Sequence, residues 1–214
     1  MGNRPYFYFL RPYYSGDEAD DVKMREWFNA PWPEMIDMEE DSKWWVVLDD
    51  LDLFNFGDSR DSWQQVYKIL PELAAPSPGR TLPDEDLVYA GETVRDAWEG
   101  NLYEAEADEF REALRFCAAK ATWLCIIDEN SFSTGSFYLI FRDYKGNVVK
   151  ECPIEPRELV DLHMYASVKG SLHEQHWWLD GVVGKKYRAK GSIMVQLLPK
   201  VMENPANVGG EKTK

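Results

Sequence analysis

Long apolar runs are missing from this 214-residue chain: the longest, Trp44–Leu48 and Trp123–Ile127 among them, span five residues. A membrane-crossing helix needs about 20 apolar residues, so none is expected. Tyr6–Leu10 is too short for the apolar core of a signal peptide, and Arg11-Pro12 end it. The start Met1-Gly2-Asn3-Arg4-Pro5-Tyr6 has Tyr where a myristoylation signal wants Ser or Thr. A cytoplasmic protein is the expectation.

Cysteine is scarce. Cys117, Cys125 and Cys152 are odd in number, with no Cys-x-x-Cys pair, and are read as buried, reduced thiols. Phosphate-binding glycine patterns are absent, as is the Gly-x-Ser-x-Gly nucleophile elbow. Nothing in the chain therefore fixes a reaction, and no cofactor is expected.

What the chain has is acid, unevenly placed. Residues 1–129 carry 29 Asp/Glu against 12 Lys/Arg, a net of −17; residues 130–214 carry 9 against 12, a net of +3. Large aromatics share the acidic part, including Trp27, Trp32, Trp44, Trp45, Trp63 and Trp98. Carboxylates set among such side chains suit a surface that meets a basic partner.

Local signals predict an α+β fold in one domain over residues 1–203, with N-terminal strands, a central group of helices and a C-terminal antiparallel sheet. Residues 204–214 read as a flexible tail. Tyr6–Leu10 is a predicted strand. Ser15–Glu18 fits a capping box, with Ser15 as N-cap of a helix to about Phe28. Trp44–Leu48 and Leu51–Phe56 read as two strands joined by the turn Asp49-Asp50. Trp63, Val66, Tyr67 and Leu70 have helical spacing.

The Pro/Gly-rich stretch 74–83 is read as a long loop or a subdomain break. Two helices follow, Leu87–Trp98 (stripe Leu87, Gly91, Val94, Trp98) and Tyr103–Ala121 (stripe Ala107, Phe110, Leu114, Cys117, Ala121). Strands are expected at Thr122–Ile127, Ser136–Arg142 and Val148–Cys152, the last two as a hairpin, with Asp128–Ser136 as a wide polar turn. A short helix is expected from Pro156 to about His163.

Few constellations carry chemistry. His163, His173 and His176 lie near one another, and His173-Glu174-Gln175-His176 would let two imidazoles share a metal with Glu174 as a base. The segment is one residue short of His-Glu-x-x-His. These residues define the rival reading, a metal-dependent hydrolase. Lys185–Lys190 forms a basic patch, read as pairing with the protein's own acidic face or as a solvated edge strand; direct nucleic-acid binding is opposed by the −17 half.

The favoured reading is a binder rather than an enzyme. It is an acidic inhibitor of the toxin-immunity or phage anti-defence type, blocking a basic, nucleic-acid-handling protein. The expected contact residues are Trp32, Glu39, Glu40, Asp41, Trp44, Trp45, Asp49, Asp50 and Asp52.

Overall fold

The computed structural model describes residues 7–29, 45–57, 61–74, 85–100, 107–143, 145–158 and 180–188, with positions 198, 199 and 202. The described chain combines helices with a mixed six-stranded sheet, as the α+β expectation required. Its order is β2-β1-β3-β4-β5-β6, with strands β1 (Phe7–Leu10), β2 (Trp45–Leu48), β3 (Lys120–Ile126), β4 (Phe137–Arg142), β5 (Val148–Ile154) and β6 (Val182–Val183). Early and late strands thus share one sheet.

β1 lies between β2 and β3 and runs parallel to both, Phe9 standing opposite Val47 and Cys125. A parallel pair needs a crossover. Helix α1 (Glu18–Asn29) lies in the connection from β1 to β2. Its cap is Asp17, whose carboxylate accepts from the Ala19 N–H at 2.9 Å. Ser15, the expected N-cap, instead accepts from the Asp17 N–H and bonds Asp20. Either residue type caps well. The helix begins beside the second.

The segment expected as a strand over Leu51–Phe56 is a helical turn, α2 (Leu51–Phe54). Asp50 caps it, accepting from the N–H groups of Asp52 and Leu53 at 3.0 and 3.2 Å. The alternation Leu-Asp-Leu-Phe imitates a strand, but an Asp before free N–H groups favours the turn. The loop expected at Asp128–Ser136 is likewise a helix, α6 (Glu129–Thr134), with Asp128 and Ser131 in a capping box and Gly135 in left-handed conformation at its end.

The chain divides into two compact units, the first Met1–Leu73 with Trp123–Ile140 and Cys152–Gly170, the second Ala74–Thr122 with Phe141–Glu151 and Ser171–Lys214. In the first unit, Trp27 and Phe28 of α1 lie on an aromatic cluster. Trp27 stacks on Phe132 and meets Phe137 edge-on at 5.0 Å, and Phe28 touches Phe9 and Phe137. Trp63, in a 3-10 turn running into α3 (Val66–Ile69), is buried. Two tryptophans counted toward a partner surface are therefore packing residues.

In the second unit, α4 (Glu85–Glu99) packs beside α5 (Ala107–Ala118). Small residues at Ala90, Gly91 and Ala97 flank buried Val94. Trp98 is 41% exposed, so the buried stripe is turned from the expected one. Ala121 belongs to β3 rather than to the helix. β4 and β5 form the expected hairpin across 143–147, where buried Asp143 accepts from the N–H groups of Lys145 and Asn147, from the Asn147 amide and from the Tyr187 hydroxyl.

Lys185, Lys186 and Arg188 stand on a helical turn, α7 (Lys185–Arg188), and not on an edge strand. Gly184 sets that turn against β5: its N–H donates to Val149, and a Cβ there would lie 1.9 Å from the Val148 carbonyl oxygen. Backbone cannot yield as a side chain can. Gly184→Ala is expected to cost about 2 kcal/mol or more, read as a lower urea midpoint. An unchanged midpoint would show that the turn is not anchored there.

Candidate functional site

Three parallel strands end together in the first unit, and the order β2-β1-β3 means that the chain leaves β1 first to one side and later to the other. Ligands of open parallel sheets bind beyond the carboxyl ends of strands at such a switch point. Here Arg11 follows β1, Asp49 and Asp50 follow β2, and Asp128 stands two residues beyond β3. Backbone bonds extend the pairing past the strand ends, from the Arg11 N–H to Leu48 at 3.1 Å and from the Ile127 N–H to Leu10 at 2.9 Å.

Arg11 occupies the centre, its side chain only 4% exposed. Its Nη1 donates to Asp21 of α1 at 2.6 Å and to Asp49 at 3.5 Å, and its Nε donates to the Tyr13 carbonyl at 3.2 Å. The guanidinium lies over the Tyr14 ring at 4.4 Å and the Phe132 ring at 5.2 Å. The planar, weakly hydrated fork of Arg suits this sandwich; an ammonium would not fill it. Lys23, two residues past Asp21 on α1, donates to the Phe132 carbonyl.

Tyr14 completes the group. Burial pushes its phenol well above the ordinary value, the nearby Asp49 carboxylate pushes it further both as an acceptor for the phenol proton and as a charge, and the Asp50 charge adds weakly against the pull of Arg11. Its hydroxyl is buried near Asp49 without a well-formed hydrogen bond among the described residues. Burial likewise raises the Cys125 thiol, and Cys117 and Cys152 are buried too, none of the three in a disulfide.

Of the sequence-predicted contact residues, Asp49, Asp50 and Asp52 gather after β2, the first paired with Arg11 and the second capping α2. Asp52 is exposed, as are Leu51 at 54% and Leu53 at 51%. The backbone of Trp45 opens β2. Trp32, Glu39, Glu40, Asp41 and Trp44 lie outside the described residues, as do His163, His173, Glu174 and His176. Among the described residues no group of His, Cys, Asp or Glu is arranged to hold a metal ion, and no helix is long and apolar enough to cross a membrane.

Sequence reasoning passed over Arg11, Tyr14, Asp21 and Phe132. The available signal was a lone cation closing an aromatic strand, which reads locally as the end of an apolar run. No family model, curated protein or solved structure matches the chain.

Two stability measurements check the cluster. Arg11→Ala removes both carboxylate bonds and the filling between two rings, at an expected cost of about 2–4 kcal/mol. Arg11→Lys recovers only part; full recovery would mean that charge alone matters. Tyr14→Phe deletes a buried hydroxyl that makes no well-formed hydrogen bond, so stability at neutral pH is expected to change by no more than about 1 kcal/mol. Above pH about 10 the unfolded chain releases the Tyr14 proton while the folded one retains it, so stability falls as pH rises. The Phe variant loses that share of the alkaline decline. An identical decline in both proteins would contradict the raised phenol.

Proposed function

We propose that this protein acts by binding: its acidic surface around α2 docks on, and blocks, a basic protein that handles nucleic acid. Toxin-immunity proteins and phage anti-defence inhibitors are the functional class proposed. The observation that carries this reading is the pair Leu51 and Leu53, each more than half exposed, beside exposed Asp50 and Asp52 on a capped turn.

Exposed leucines on an ordered turn offer apolar contact area at little ordering cost, because the Asp50 cap already holds the backbone. The surrounding carboxylates favour Lys and Arg on the partner and disfavour acidic partners. The −17 balance of residues 1–129 adds a long-range field that would speed encounter with a basic surface and weaken with salt. The setting proposed is the cytoplasm, which suits three buried thiols without a disulfide.

The test compares two baits in a native lysate at low salt, the natural chain and a Leu51→Ala, Leu53→Ala, Asp52→Lys variant. These positions leave the Asp50 cap and the Arg11–Asp49 pair intact. A basic protein is expected on the natural bait, released by salt and held at least about tenfold more weakly by the variant. Its nuclease or nucleic-acid-binding activity should fall when the purified natural chain is added. Equal capture of the same proteins by both baits would refute the proposal.

A further inference from the structure

The two ends of the sheet are built differently. β6 is a two-residue strand followed at once by Lys185, Lys186 and Arg188, and short length with nearby lysines is how natural edges avoid pairing with other chains. β2, Trp-Val-Val-Leu, stands at the other end of the order with no charge, no proline and an unbroken register against β1. Val46 is exposed, and Val47 and Leu48 are half-buried. Among the described residues no further strand pairs with β2, and the strand holds no charge or proline to discourage one.

The direction of its free groups follows from one bond. The Leu48 carbonyl accepts from the Arg11 N–H, so the backbone polar groups of Leu48 face β1. These groups alternate along an extended strand, so Val46 also faces β1, while Val47 turns its N–H and C=O outward. Immediately beyond, Asp49 and Asp50 are exposed, and Asp52 follows on α2.

We infer that β2 is a strand-addition site, whose occupant is an extended segment of the basic partner with Lys or Arg alternating with apolar residues. The inference rests on the binding function proposed above. Main-chain bonds to Val47 supply the pairing, alternate apolar side chains lie along Val46 and Leu48, and the cations meet Asp49, Asp50 and Asp52.

The probe is a short alternating Lys–Val peptide, used beside the same peptide N-methylated at alternate amides. The methylated form keeps the charge and side chains but loses ladder donors. With the natural chain, the unmodified peptide is expected to slow hydrogen exchange of the Val47 amide by about tenfold or more, and the methylated form to bind about tenfold more weakly. Val47→Pro removes only an outward N–H and is expected to keep the fold while weakening the peptide to a similar extent.

Equal binding of both peptides, weakened by Asp52→Lys, would overturn strand addition while leaving the acidic docking surface standing. A Val47 amide already protected in the free chain would overturn it too, as would failure of the unmodified peptide to bind. A homodimer abolished by Val47→Pro would assign the edge to a second copy instead. Whether a basic partner exists at all is decided separately by the two-bait comparison.

Discussion

The first unit depends on one buried guanidinium. Arg11 leaves the end of β1, bonds α1 through Asp21 and the end of β2 through Asp49, and lies against the rings of Tyr14 and Phe132. Leaving such a charge without its partners would cost several kcal/mol. The carboxylates are partly open to water, with Asp21 56% and Asp49 36% exposed, so the pairs themselves contribute modestly. What the arrangement adds is a fixed relation between three elements that meet at the switch point of a parallel sheet.

That relation changes the meaning of the acid. Asp49 is the counter-ion of Arg11, Asp50 and Asp128 cap α2 and α6, and Asp17 caps α1. Much of the acidity near the strand ends thus has a local structural cause, as helix N-termini favour it. The aromatic content divides in the same way, since Trp27 and Trp63 pack inward. Among the described acidic residues near the strand ends, Asp52, between exposed Leu51 and Leu53 and close to edge strand β2, has no such task.

How far the sequence shows this varies with the range of the interaction. Strands β1 and β2, the hairpin across 143–147, helix α4 and the buried cysteines are legible from short patterns because each is set by neighbours in the chain. The turn at Leu51–Phe54 was misread because alternation and an N-cap were both present, and only the count of satisfied N–H groups separates them. Of the candidate contact residues, the triplet Asp49, Asp50 and Asp52 was visible as a charge cluster; the tasks of its first two members were not.

Sequence alone determined the α+β class, the strand and helix segments with strong periodicity, and the excess of acid in residues 1–129. Tertiary structure alone decided that β1 lies parallel between β2 and β3, and that Arg11 meets carboxylates 10 and 38 positions away. The reason is physical. A period-two pattern says which side chains share a face but carries no information about strand partner or direction. An ion pair between distant residues forms only after the whole chain has closed the loop between them.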